Sequence, residues 1–272
     1  MRVAFAAGLL LTGCLHPLTG LTERTSAGAL PVAIAYAPAQ AADAQAVARV
    51  LPGLEGPLHE WGGLEEPVEV LLAADHDALE GAVGRRHYTW LRAWATYRQV
   101  LLQAPSTWPP SGASDADVRE LLHHELTHCV LFQRARSPKE HPGRGIPLWF
   151  REGMATVAAQ QGKRFLTLED LADRYAEPGP DPLLEPQELE RDDQAFLYGA
   201  AHHAFEFLLN QSGHARVEQL VDRLGEGATF EAAFTAALGE SPTAFAQRFR
   251  RYLVNHAFRA PPRPLEATPV RE

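Results

Sequence analysis

The stretch His123-His124-Glu125-Leu126-Thr127-His128 contains, from His124 onward, the pattern H-E-x-x-H. Residues four apart on an α-helix lie one above the other on the same face, so His124 and His128 can present two imidazoles to a single metal ion. Glu125 projects beside them, where its carboxylate can take a proton from an attacking water molecule. The stretch therefore predicts a metal-binding helix that also carries a proton acceptor.

The residues around the motif favour a helix over residues 114–134. Apolar side chains recur there at helical spacing, and either Ser114 or Asp115 can cap the first turn. Twelve histidines raise the chance of an accidental match, but a buried histidine pair without a metal would be costly to leave unsatisfied. Cys129 directly follows the second histidine and is interpreted as a small buried thiol rather than a ligand.

A catalytic zinc site needs a third protein ligand and one open coordination position. The best candidate for this ligand is Glu152, in the segment Leu148-Trp149-Phe150-Arg151-Glu152-Gly153-Met154-Ala155. The apolar residues of this segment predict a second helix that enters the core. The H-E-x-x-H and E-G-x-A patterns together predict a zinc site formed by His124, His128 and Glu152.

Composition limits the class of protein. The chain has 272 residues, a length that is enough for one large domain or two small ones. Of these residues, 46% are hydrophobic and 22% are charged. Its formal net charge is −9, and no basic stripe is visible. Because nucleic-acid phosphates require a basic surface, the charge argues against nucleic acid as a partner.

The first residues predict export and a lipid anchor. Met1-Arg2 is a short positive segment, and residues 3–11 form an apolar run too short to span a membrane. The following Leu11-Thr12-Gly13-Cys14 resembles the bacterial lipobox, in which the cysteine becomes the lipidated N-terminus. An ordinary secretory signal that happens to contain a cysteine is the alternative. Lipidated Cys14 would hold the protein at a membrane of the bacterial cell envelope, and Leu15 in place of aspartate favours the outer membrane.

The rest of the chain is predicted to be one domain. We expect a signal peptide over residues 1–13, a flexible tether over 14–30, a folded domain over 31–258 and a disordered tail over 259–272. Within the domain, residues 31–112 form an α/β part and residues 113–258 the metal-site helices and a mostly helical C-terminal part. Strands are expected in residues 31–38, 67–73 and 98–103, and the acidic, proline-rich residues 177–193 are expected to form an exposed loop.

This layout resembles the peptidase MA-like gluzincins over residues 31–253. The resemblance rests on strands before the metal helix, H-E-x-x-H, a loop, W-x-x-E-G-x-A and a helical C-terminal part. It implies a zincin-like α+β fold with an N-terminal mixed β-sheet, one zinc ion per chain and hydrolysis of peptide bonds. It also implies that His124, His128 and Glu152 are the zinc ligands and that Glu125 is the general base.

The group that stabilises the oxyanion is less well defined. The resemblance places a tyrosine at the start of a C-terminal helix, which points to Tyr198, although a core tyrosine would look the same. His202 or the adjacent His203 could serve instead. Many thermolysin-like enzymes carry an acidic residue four positions after the ligand glutamate, but this chain has Thr156. Support for the histidines would then come from Glu120 or a backbone carbonyl.

Two further interpretations concern substrate and activity. The strand in residues 98–103 is expected to be an edge to which an extended peptide adds, with an internal strand as the alternative. The rival function is an inactive zincin-fold lipoprotein that acts as a binding or assembly module, although such a scaffold would not need Glu125. A third possibility is an enzyme silenced by its own loop, residues 177–193.

Overall fold

The structure is a computed structural model that describes residues 18–137, 145–189 and 193–256. It divides the chain into two compact units, Met1–Gly145 with Val221–Ala228 and Ile146–Leu220 with Thr229–Glu272. The predicted boundary between residues 112 and 113 therefore falls inside the first unit. The predicted signal segment 1–13, Cys14 and the predicted tail 259–272 lie outside the described residues.

The first unit contains a five-stranded mixed sheet with the strand order β1-β2-β3-β5-β4. Strands β2, β3 and β5 run parallel to one another, whereas β1 and β4 pair antiparallel with β2 and β5 at the two ends. The strands are β1 (Glu23–Ser26), β2 (Val32–Tyr36), β3 (Val68–Ala73), β4 (Ala93–Ala95) and β5 (Gln99–Gln103). Together with the helices described below, this sheet confirms the expected α+β class.

Aliphatic residues explain why the parallel strands lie inside the unit. Ile34, Val70 and Val100 are neighbours in the sheet register, and all three are fully buried. On the opposite face, Leu101 packs with the apolar side of α3 (His76–Val83), whose N-cap is Asp75. β-Branched and aliphatic side chains suit a sheet that is covered on both faces. The α-helices that precede α3 are α1 (Ala41–Val50) and α2 (Glu55–His59).

Helix α4 (Asp115–Arg134) carries the H-E-x-x-H motif, as the sequence predicts. Its cap is Ser114, whose hydroxyl accepts a hydrogen bond from the Asp117 amide while the Asp117 carboxylate accepts one from the Ser114 amide. At the other end, buried Gln133 accepts from the amides of Glu65 and Glu66 and donates to the carbonyl of Tyr97. The helix is therefore fixed to the segments that precede β3 and β5.

The second unit is helical and has an aromatic core. Trp149 stacks on Phe245 at 5.1 Å between ring centroids, and Phe150 makes edge contacts with Phe205 and Phe230. Its helices are α5 (Leu148–Ala158), α6 (Leu168–Ala176), α7 (Pro186–Leu189), α8 (Gln194–Ser212), the first half of α9 (His214–Gly225), α10 (Phe230–Leu238) and α11 (Pro242–His256). Burial of these rings favours the close packing of α5 on α8.

Three expectations need correction. Strand β1 lies within residues 14–30, which were expected to be a tether; its sequence Glu-Arg-Thr-Ser is polar because the strand is mostly exposed at the end of the sheet. Strand β5 lies between β3 and β4, so it is internal and cannot be the edge that receives a peptide. Residues 177–193 contain the short helix α7 rather than only a loop. Among the described residues, none of the helices is both long and apolar enough to cross a membrane.

Candidate metal centre

The two histidines of the motif meet through their Nε2 atoms. His124 Nε2 and His128 Nε2 are 3.1 Å apart, and the two rings are nearly perpendicular. Two ligand atoms bound to one tetrahedral zinc ion, each about 2.0–2.1 Å from the metal, are separated by about 3.3 Å. The histidine pair therefore has the spacing that a shared metal ion requires.

The helix orients these side chains by packing. The ring of His128 is 7% exposed and stacks on Phe132, which lies one turn further along α4. Thr127 donates its hydroxyl to the His123 carbonyl at 2.7 Å, which keeps a polar side chain satisfied inside the helix. Glu125 is also 7% exposed, so a carboxylate and an imidazole of the motif share a largely buried environment.

Two neighbours of the motif have perturbed pKa values. Burial and the positive charge of Arg119 lower the pKa of His123 to about 4, so its ring is neutral at physiological pH. Cys129 is fully buried and donates its thiol to the Thr96 carbonyl at 3.2 Å. Burial, helped by the negative charge of Glu125, raises the pKa of this thiol far above its usual range. The buried, hydrogen-bonded position of Cys129 and its raised pKa agree with its interpretation as a structural thiol.

Glu152 lies on α5 in the second unit, where its carboxylate is held by its neighbour. Arg151 Nε donates to Glu152 Oε1 at 3.3 Å, and both side chains are mostly buried. The next residue, Gly153, explains the glycine of the E-G-x-A pattern. A Cβ at this position would lie 2.4 Å from the carbonyl oxygen of Ala201 and 2.6 Å from Phe205 Cβ, both on α8. The glycine therefore allows the two helices to pack closely.

The sequence-predicted ligands form one of two groups of side chains in the described residues that could hold a metal ion. His124 and His128 lie on α4 in the first unit, and Glu152 lies on α5 in the second. Two imidazole nitrogens and one carboxylate oxygen match the His₂Glu donor set that zinc uses in many hydrolases. Three protein ligands also leave one coordination position for water or substrate. The residues therefore fit a zinc ion.

The candidates for the oxyanion role lie on α8. Tyr198 is half-buried in the first part of this helix. His202, one turn later, is 3% exposed, and its Nδ1 lies 3.1 Å from the hydroxyl of Thr156. Burial lowers the pKa of His202, although the negative charge of Glu206 opposes this effect. Thr156, the fourth residue after Glu152, thus contacts a histidine of α8.

The second group consists of His202, His203 and Glu206, all in the second unit, whose ligand atoms lie within 4.8 Å of one another. Both histidines are candidates for the oxyanion role from the sequence, whereas Glu206 was not predicted to be a site residue. The spacing of these residues could have indicated the group. Glu206 follows His202 by four residues and His203 by three, so all three side chains are neighbours on a helix.

No model of a known protein family matches this chain, and no curated protein matches it either. Function is therefore inferred from the residues and their geometry.

Proposed function

We propose that this chain is a zinc-dependent metallopeptidase of the gluzincin type, with a zincin-like fold related to the peptidase MA-like family. The observation that carries the proposal is the pair His124 and His128, whose Nε2 atoms are 3.1 Å apart, next to a buried Glu125 on the same helix. A metal-binding module would need only the three ligands. A carboxylate between the two histidines in sequence supplies the proton acceptor that hydrolysis requires.

In this proposal His124, His128 and Glu152 hold the zinc ion, and Glu125 stays off the metal. Zinc supplies Lewis-acid chemistry, because it lowers the pKa of water toward neutrality and polarises a carbonyl group. Glu125 accepts the proton of the attacking water and passes it to the leaving amine. The burial of Glu125 strengthens its electrostatic interactions with nearby charged groups, because the local dielectric constant is low.

Tyr198 is the proposed hydrogen-bond donor to the oxyanion that forms as water attacks the peptide carbonyl. A phenol can donate a hydrogen bond to developing negative charge without losing its proton. His202 is less suited to this role, since its ring is almost fully buried and its Nδ1 contacts Thr156. A Tyr198→Phe variant tests the assignment: we expect a lower kcat with little change in KM, and an unchanged kcat would contradict it.

We further propose that the protein is attached to the bacterial envelope through lipid on Cys14. The lipobox-like sequence Leu11-Thr12-Gly13-Cys14 supports this proposal. Acyl chains on a cysteine can anchor a protein without a membrane-spanning helix. Fractionation of cells that express the wild type or Cys14→Ser tests the anchor, and an equal distribution of both proteins would count against it.

Removal of metal tests the enzymatic proposal directly. Purified protein should cleave a mixture of unstructured peptides, and dialysis against a chelator should reduce this cleavage at least about 100-fold, because zinc supplies several kcal/mol of transition-state stabilisation. Addition of zinc should restore it, whereas magnesium should not, since imidazole ligands favour zinc. Cleavage that survives complete removal of zinc would contradict the proposal.

A further inference from the structure

His202, His203 and Glu206 lie together on α8, entirely within the second unit. His203 Nδ1 is 3.1 Å from Glu206 Oε2, and His202 Nε2 is 3.6 Å from the same oxygen. The longer distance exceeds that of a good hydrogen bond. Both distances are close to the separation of about 3.3 Å between two ligands on one tetrahedral zinc ion.

The contacts of His202 fix the position of its proton. The hydroxyl of Thr156 donates to the Gly153 carbonyl at 3.1 Å, so its oxygen is available as an acceptor for His202 Nδ1. The proton of a neutral His202 ring is therefore on Nδ1. Its Nε2 presents a lone pair 3.6 Å from the Glu206 oxygen.

The contacts of His203 fix its proton in the same way. His203 Nε2 lies 2.8 Å from the Leu166 carbonyl oxygen, which can only accept, so Nε2 must donate. Nδ1 of a neutral His203 ring then presents a lone pair to the Glu206 carboxylate at 3.1 Å. If His203 carried a second proton, its Nδ1 could donate a hydrogen bond to Glu206 Oε2. That proton would not account for His202 Nε2, which is a second hydrogen-bond acceptor near the same oxygen.

We propose that His202 Nε2, His203 Nδ1 and Glu206 Oε2 bind a second metal ion of the zinc class, separate from the ion of the H-E-x-x-H motif. Two imidazoles and a carboxylate form a suitable donor set. Each imidazole donates its other N–H to a fixed oxygen, as metal-bound histidines generally do. A Cβ at Gly162 would lie 2.8 Å from His202 Nε2, so the glycine leaves this nitrogen more room than any other residue would.

This site would stabilise the second unit rather than take part in hydrolysis. His203 contacts Leu166, in the segment between α5 and α6, and His202 contacts Thr156 on α5. A metal ion that holds both rings on α8 would therefore also hold α5 and this segment. Because a metal bound only by the folded state raises its stability, zinc should increase the melting temperature of the protein.

The test is the number of zinc ions bound per full-length chain, measured by mass spectrometry after equilibration with buffered zinc. The wild type should bind two equivalents, and Glu206→Ala and His203→Gln should each bind one fewer. Gly162→Ala should weaken the second site at least about 10-fold without removing a ligand. Glu218→Ala is the matched control, because it removes a glutamate from the i,i+4 pair His214–Glu218 on α9 and should leave the zinc content unchanged.

A double variant separates this inference from the proposed peptidase site. His124→Ala combined with Glu152→Ala should remove one equivalent and leave the Glu206-dependent equivalent in place. If His124, His128 and Glu152 do not bind zinc, this double variant keeps the wild-type content while Glu206→Ala still loses one equivalent. Unchanged zinc content in Glu206→Ala would overturn the second site. That variant is expected to fold, since its side chain is 46% exposed and alanine favours helix.

Discussion

Replacement of Glu125 by glutamine should reduce peptide hydrolysis by about 10²–10⁴-fold while the zinc content stays at the wild-type level. Glutamine has nearly the same shape as glutamate, so it fits the same largely buried position. Its amide cannot accept the proton of the attacking water at neutral pH. The variant therefore removes one chemical step and leaves the ligands in place. The measurement is kcat/KM on a fluorogenic peptide, together with zinc per chain.

Asp115→Asn provides the matched control for this experiment. It makes the same change from carboxylate to amide on the same helix, at a residue that pairs with Arg49 where both side chains are more than half exposed. Solvent screens an exposed ion pair strongly, so activity should remain near the wild-type value. Full hydrolysis by the Glu125→Gln variant would show that Glu125 is not the general base.

Gly153→Ala should lower the free energy of unfolding by about 3 kcal/mol. The added Cβ would lie 2.4 Å from the Ala201 carbonyl oxygen, and a backbone atom of a packed helix cannot move aside cheaply. The expected loss exceeds the gain in helix propensity of about 1 kcal/mol that alanine normally brings. Denaturant unfolding measures the difference.

Gly81→Ala is the control for the effect of the methyl group itself. Gly81 lies within α3, and no atom lies within 4 Å of a Cβ added there. This variant should be more stable than the wild type by about 0.5–1 kcal/mol, because alanine favours helix and restricts the unfolded chain. If Gly153→Ala were as stable as the wild type, close packing of α5 on α8 would not explain the glycine that follows Glu152.

Local signals explain why the metal helix could be predicted from the sequence. Ser114 caps α4, apolar residues recur along it, and the two histidines are four residues apart. Each of these features acts within a few residues, so the helix and its ligand-bearing face follow from the chain itself. Short apolar runs likewise identified β2 and β3, because both strands are covered by other parts of the first unit.

Other features of the fold and of the site depend on contacts between residues far apart in sequence, and local sequence patterns did not predict these features. The internal position of β5 follows from its pairing with β3, which no local pattern reveals. Strand β1 is polar and lies at an end of the sheet, so it lacks an apolar alternation. The contacts of His202 with Thr156 and of His203 with Leu166 join residues 46 and 37 positions apart. The sequence could suggest the histidines of the second group but not the oxygens that orient them.

Zinc per chain in the wild type and in Glu152→Ala is the most direct measurement of the proposed centre. Removal of one of its three ligands should leave Glu152→Ala with about one zinc ion fewer than the wild type after equilibration with the same buffered zinc. Glu231→Ala, an exposed glutamate of α10, should keep the wild-type content. Equal zinc content in Glu152→Ala and the wild type would contradict a metal centre formed by His124, His128 and Glu152.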